Sequence, residues 1–329
     1  MGQHTSNEVA VESKAGVKEH LECDDTGEME EYVGCKAEYN KTEGYVKLTQ
    51  PVLIQSLQDE FDLPQEHFNT PAAPGTTLQK EPDRSDVLGP EEQSVYRSGA
   101  GKMLHIMRWS RPDTLNATRE VSRFMGEANP AHYGALHRLM AHCVSTPNRG
   151  LLLKPTGPRW DGKSRDYKFI VRGKSDAEMA KDQATRKSVG GSSVYLNDAP
   201  VTLSSKMQRI VAVSVTEAEL IQACECAQDM LYVYRVLKDM GLQVEKPMIL
   251  EVDNQGAIDI VNNWASSGRT RHMDVRYKFL RELKEANLLR CVWCPTAENE
   301  SDAFTKNLSG PTHEKHISKW VGTDEYMDK

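Results

Sequence analysis

"MILEVDNQGAI", Met248 to Ile258, is a short apolar run that ends abruptly at Asp253-Asn254-Gln255 and then turns periodic again. Met248 to Val252 reads as a buried strand and the residues behind it as a short helix reaching about Trp264. A carboxylate at a strand end is common, so the elements around it decide what it means. Upstream, Val215 to Met240 is one long amphipathic helix, with Leu220, Cys224, Ala227, Leu231 and Tyr234 on a stripe and Gly241 just past its end. Before it, Tyr167 to Ser175, Ser192 to Leu196 and Val201 to Ser205 read as strands, the last two joined at Asn197-Asp198 in a hairpin turn. Downstream come a helix from about Met273 to Asn287, a strand from Leu288 to Trp293 and a final helix beginning near Asn299. Three strands, helix, strand, helices, strand, helix is the order of an α/β fold, a mixed sheet with helices on its faces.

The remainder of the 329 residues is organised differently. Thr156 to Arg165, with Gly157, Pro158 and Gly162, is the best domain boundary. Ahead of it, residues 94–144 are helical, with Pro112 and Pro130 as breaks between about three helices. Tyr32 to Gln50 has β-type composition around Lys41 to Gly44, Pro51 to Phe61 has helical spacing, and Leu151 to Pro155 reads as a strand. Asn69 to Pro90 reads as an extended connector, and residues 1–30 as polar, acidic and frayed at the start.

With 38% hydrophobic and 27% charged residues the composition is that of a soluble globular protein, and no stretch approaches a membrane-spanning length. The net charge of -7 is uneven: residues 1–62 carry a net of -9 and the rest +2, so the mean says nothing against a basic groove. Seven scattered cysteines suit a reducing compartment better than a disulfide framework. Cys291 and Cys294 have metal-like spacing, but they lie in an apolar run that reads as a strand, where positions three apart face opposite ways.

Four acidic residues occupy telling places. Asp176 ends the first strand, Glu219 lies in the first turns of the long helix, Asp253 ends the fourth strand, and Asp302 starts the last helix. If the first and fourth strands are neighbours, Asp176 and Asp253 stand side by side, and the two helices can bring the others to the same end. Carboxylates packed that closely need compensating cations, and two oxygen-seeking divalent ions about 4 Å apart cleave phosphodiesters. Acidic residues at strand and helix ends also serve as caps, so the spacing alone leaves both readings open.

Residues 167–310 resemble the RNase H domain at the end of the polyprotein of copia-type retrotransposons. The matching motifs are "SDAEMAKDQATRKS" (175–188), "APVTLSSKMQRIVAVSVTEAEL" (199–220), "LEVDNQGAI" (250–258), "SGRTRHMDVRYKFLREL" (267–283) and "CPTAENESDAFTKNL" (294–308), in the family's order and close to its spacing. Upstream, "MEEYVGCKAEYNKTEGYVKLTQPVLIQSLQDEF", "TPAAPG", "YRSGAGKML", "SRPD" and "REVSRFMGEANPAHYGALHRLM" resemble the segments that follow the palm in the same elements. The resemblance implies an RNase H-like five-stranded mixed sheet, its first three strands antiparallel, flanked by helices and preceded by a mostly helical thumb and connection fragment. Residues 1–155 would be the C-terminal part of a reverse transcriptase without its polymerase centre. Residues 156–329 would be the RNase H domain, with its core at about 166–310.

Carried over by motif, the metal ligands and catalytic residues are Asp176, Glu219, Asp253 and Asp302. Glu217 competes with Glu219 in "TEAEL" and fits a first-turn or cap role. The implied cofactors are two Mg²⁺, with Mn²⁺ as a substitute. The implied reaction is hydrolysis of the RNA strand of an RNA–DNA hybrid, and no DNA synthesis is expected. The implied partners are that hybrid and the rest of the reverse transcriptase, with no membrane, in a cytoplasmic virus-like particle or the nucleus. Residues 266–290 carry seven Lys/Arg against three acids, and from them Arg269, Arg271 and His272 are candidate hybrid contacts. Arg186, Lys187, Ser188 and Lys206 are further phosphate candidates, and Asn254 and Gln255 could reach the minor groove or start a helix. The stretch "CPTAENESD" lacks the His-bearing loop of many RNase H enzymes; Glu178, Met179 and Leu203 stand where the family usually has Asp, an aromatic residue and Trp. A silent remnant that only binds nucleic acid or a polymerase partner is the rival reading.

Overall fold

Prolines and short alternating runs set the first half of the chain. The computed structural model describes residues 7–23, 27, 29–64, 66–80, 86–162, 164, 166–262 and 274–322. Helix α1 (Asn7–His20) lies where fraying is expected; those of its residues with described burial are exposed. Strands β1 (Glu31–Tyr32), β2 (Cys35–Asn40) and β3 (Tyr45–Thr49) form an antiparallel meander. Helices α2 (Pro51–Glu60), α3 (Pro90–Trp109) and α5 (Pro130–Ser145) each begin on a proline, whose fixed φ and missing N–H suit a first helical turn. Between the last two lies the short α4 (Leu115–Ser122), entered through Pro112, so the breaks fall where the prolines place them. These helices enclose one core, including Leu57, Tyr96, Met103, Ile106, Leu136 and Leu139. Strand β4 (Gly150–Leu153) then joins β3.

The second half forms a separate five-stranded sheet. After the two-residue β5 (Lys168–Phe169) come β6 (Val171–Glu178), β7 (Val189–Leu196) and β8 (Ala199–Met207), all antiparallel. Asn197 and Asp198, at φ 48° and 68°, make the expected tight hairpin turn. The first strand runs to Glu178, past its expected end at Ser175, and β7 starts three residues earlier than expected. Helix α6 (Val215–Asp239) crosses back over the sheet. It leads through β9 (Gln243–Val244), which pairs with β5, to β10 (Met248–Val252). The run that opened the sequence is therefore an inner strand, parallel to β6 on one side and to β11 (Leu289–Trp293) on the other. Helices α7 (Gln255–Asn262) and α8 (Asp274–Glu285) connect them. The order β11-β10-β6-β7-β8 is the mixed sheet of the RNase H-like fold. Its core lies under α6, from Leu220, Cys226 and Met230 to Leu250 and Leu280.

The final expected helix is replaced by a single 3-10 turn, Glu300–Phe304, followed by α9 (Gly310–Ile317). Asn299 caps Ser301 N at its start, and the stretch after it holds Asn307, Ser309 and Gly310, too poor in helix formers to continue. The chain ends its described course by returning to the first sheet: β12 (Val321–Gly322) pairs antiparallel with β4. A third apolar cluster, with Leu115, Tyr195, Phe304, Ile317 and Trp320, sits between the two halves. Asn116 donates to Asn307 at 2.7 Å and Arg119 to Ser205 at 3.1 Å across the same junction.

Gly190 and Gly191 let two layers approach β7 from opposite faces. A Cβ at Gly190 would collide with the Gln222 carboxamide of α6; one at Gly191 would stand 2.7 Å from Ser301 O and 2.8 Å from Phe304 Cβ. The second obstacle is backbone and cannot swing away. Gly191→Ala should therefore cost about 1–3 kcal/mol of unfolding free energy in urea denaturation. An unchanged midpoint would show that the turn is free to shift.

Candidate active site

Parallel register brings the two strand-end carboxylates together. Val252 is the partner of Ser175, so Asp253 and Asp176 lie side by side at the carboxyl ends of β10 and β6. Helix α6 supplies Glu219 from its first turns, directly above. Ser214 caps that helix by accepting from Glu217 N at 3.1 Å, and Glu217 in turn accepts from Val213 N at 2.7 Å. Glu217 is thus spent on the helix start, as its position suggests, and Glu219 faces the sheet. One carboxylate oxygen from each of Asp176, Glu219 and Asp253 lies within 4.8 Å of the others. Asp176 and Glu219 are buried, and Asp253 is half-buried.

Asp302 comes to the same end on the 3-10 turn but stands apart from that trio, ion-paired with Lys306 four residues on. Thr305 donates its hydroxyl to Asp176 Oδ2 and Ala177 N donates to Glu219 Oε1 at 3.2 Å, while the buried Glu219 Oε2 has no partner. Burial pushes the Asp176 carboxyl up to about 6, with Lys306 opposing and Asp302 adding to the rise. Burial, then Asp176 and Asp253, push Glu219 up to about 9. For Lys306, burial works against the charge, but Asp176 and Asp302 outweigh it and hold its pKa above the ordinary lysine value.

Three carboxylates with an oxygen each drawn within 4.8 Å of one another, one of them carrying a buried and unpartnered oxygen, fit divalent cations such as Mg²⁺ or Mn²⁺, which compensate crowded carboxylates. Thr305 and Lys306 were not singled out from the sequence, although they lie three and four residues after Asp302, the spacing that returns a side chain to the same face.

The candidate hybrid contacts divide. Arg186 is exposed at φ 56° on the turn Asp182–Lys187, Lys187 is half-buried, and Lys206 is exposed on β8. Ser188 is interior, its hydroxyl accepting from Ala180 N at 3.1 Å. Asn254 accepts from Ala257 N at 2.9 Å, the helix-start role, and Gln255 donates to Asp259 at 2.8 Å. Arg269, Arg271 and His272 lie outside the described residues. Cys291 and Cys294 are buried free thiols.

Fold and site together place the chain in the RNase H-like class of α/β proteins, with an acidic cluster at the carboxyl ends of its central strands. Over most of its length the chain is similar to retrovirus-related Pol polyproteins from plant transposons. It is 29% identical over 296 residues to the Pol polyprotein from transposon TNT 1-94 of Nicotiana tabacum, covering 89% of this chain and 21% of that one. It is 30% identical over 250 residues to that from transposon RE1 of Arabidopsis thaliana, covering 76% and 16%. The chain thus spans about a fifth or less of the length of these relatives. No family model matches it. Among solved structures it is similar to RNase H1 of Halobacterium salinarum, with 16% identity and a TM-score of 0.30, over 42% of this chain and 95% of that one. No described helix is long and apolar enough to cross a membrane.

Proposed function

We propose that this chain is an RNase H-type endonuclease that hydrolyses the RNA strand of RNA–DNA hybrids as part of a retrotransposon reverse transcriptase. Residues 156–329 would form the nuclease and residues 1–155 a C-terminal part of the reverse transcriptase. The observation that carries the reading is the convergence of Asp176, Glu219 and Asp253 at one end of the sheet. Those three would hold two divalent ions, with Asp302 as the outer ligand. When bound, such ions lower the pKa of a water and stabilise the charge on the leaving 3′ oxygen.

The chain's own groups prepare that site. Ala177 N–H fixes Glu219 Oε1 and leaves the buried Oε2 unpartnered, while Thr305 orients Asp176. Lys306 supplies positive charge beside Asp176 and Asp302, so these two carboxylates are partly compensated in the free protein. The exposed Arg186 and Lys206 are suited to phosphates, which position a duplex without reading its bases. Selectivity for RNA would come from contacts to 2′-hydroxyls.

The test is incubation of the purified chain with a labelled hybrid in Mg²⁺, beside Asp253→Asn and an EDTA control. RNA-strand cuts that fall by about 10³-fold or more in both controls are expected. A folded chain that binds the hybrid and never cuts it would sink the proposal and leave a silent binding module.

A further inference from the structure

The turn that carries Asp302 is only five residues of 3-10 helix, Glu300–Phe304, with poor intrinsic stability. Its position must come from what it docks against. Three consecutive side chains ahead of Asp302 reach the sheet. Asn299 donates to Ser175 O at 2.8 Å, and Ser301 donates to Lys174 O at 3.1 Å. Glu300, between them, is buried and collects three donors: Tyr195 OH at 2.9 Å, Lys174 Nζ at 2.9 Å and Lys319 Nζ at 3.1 Å. Lys174 is itself shared with Glu251 of β10 at 3.0 Å and with Glu298 O at 2.9 Å. None of these groups belongs to the acidic cluster.

The same network reaches the first half of the chain. Trp320 Nε1 donates to Tyr195 OH at 2.7 Å, its ring stacks on Phe304 at 4.5 Å, and its carbonyl accepts from Leu152 N of β4 at 2.7 Å. Lys319 and Trp320 immediately precede β12, the strand that adds to the first sheet.

We infer that Glu300 is a positioning residue: with Lys174, Tyr195 and Lys319 it clamps the Asp302 turn in register with β6, so that the seating of the 319–322 strap on β4 sets where the outer carboxylate stands. This rests on the metal-site reading above, since it concerns the outer ligand of that site. A buried carboxylate bound by two ammonium groups and a phenol is held by charge-assisted hydrogen bonds, which are shorter and stronger than neutral ones. Its replacement by an amide leaves both ammoniums facing a group that accepts only through one oxygen.

The experiment is Mn²⁺ titration followed by electron paramagnetic resonance on the full chain and on Glu300→Gln, Lys319→Ala and Lys319→Arg, with near-ultraviolet circular dichroism to check folding. The unaltered chain should bind two ions. Glu300→Gln should weaken one of them about 10-fold and leave the other unchanged. Lys319 is 53% exposed, so Lys319→Ala should fold; it should weaken the same ion about 3-fold, with Lys319→Arg restoring it. Folded variants that bind both ions as the unaltered chain does would overturn the clamp. No Mn²⁺ binding by the unaltered chain would instead sink the metal-site reading beneath it.

Discussion

Glu219→Gln should melt about 3–6 °C higher than the unaltered chain in EDTA at pH 8, and should cut no RNA when Mg²⁺ is restored. Glu219 is buried, and its carboxyl is pushed up to about 9 by burial and by Asp176 and Asp253. A carboxyl whose folded pKa lies above its unfolded value contributes stability that is fully present below the unfolded pKa, near 4.5, and lost as pH rises toward the folded one. The metal-free chain should therefore lose stability between about pH 4.5 and 9 through this group, with Asp176 adding a narrower loss up to about pH 6. Glutamine is neutral at every pH, keeps an oxygen for Ala177 N and removes the loss. Mg²⁺ should reverse the ranking, because only the ionised carboxylates gain from it. Equal melting temperatures for the two proteins in EDTA across pH 5–8 would show that Glu219 ionises without penalty, against the burial and carboxylate crowding argued for it.

The acidic trio was legible because it depends on few things: where strands end, which strands are neighbours, and which face of a long helix looks inward. The apolar stretch Met248–Val252 and the stripe along α6 carry that information in side-chain periodicity. Glu219 was preferred to Glu217 on the resemblance, whose ligand is the acid before the apolar residue of "AEL"; helix geometry added only that the two point different ways. The Asp302 turn was not legible. Its place comes from Asn299, Glu300 and Ser301 docking on β6, and from the missing side chain at Gly191, contacts between residues more than a hundred positions apart. A local pattern read as a helix start cannot carry them. The return of β12 to β4 is of the same kind: two residues of strand have no period to detect. The first sheet was visible in part, as β-type composition over Tyr32 to Gln50 and a strand at Leu151 to Pro155, while the two-residue β1 and β12 and the pairing of these strands were not.

Asp113→Ala should cost about 3–5 kcal/mol of unfolding free energy in guanidinium titrations, the largest loss expected from one side chain here. "SRPD" folds into a fully buried ionic corner: Arg111 forks onto Asp113 at 2.9 and 2.7 Å and also donates to Thr146 O at 3.1 Å and Thr146 Oγ1 at 2.8 Å. Removing the carboxylate strands a guanidinium in the interior, and that penalty exceeds what the pair gains by forming. His142 Nε2 lies 3.3 Å from the same carboxylate, and His313 Nε2 lies 3.2 Å from Asp113 O, so α5 and α9 meet on this residue. Burial works against the charge of Asp113, but Arg111 outweighs it and holds the carboxyl well below its usual range. Burial lowers His313 to about 4. A depressed carboxyl contributes stability that is lost as pH falls through its folded pKa, and a depressed histidine contributes stability lost as pH falls below about 6.5 toward 4. This corner should therefore weaken in acid, where the carboxylate cluster relaxes, so the two losses oppose each other between about pH 4.5 and 6.5 and the cluster's loss alone remains above that window. Replacing both partners with apolar residues, as Arg111→Met with Asp113→Leu, should recover part of the loss, because no lone charge remains inside. A single variant that loses less than about 1 kcal/mol would mean that Thr146 and the neighbouring carbonyls suffice to hold Arg111, and that Asp113 is dispensable to the joint between α5 and α9.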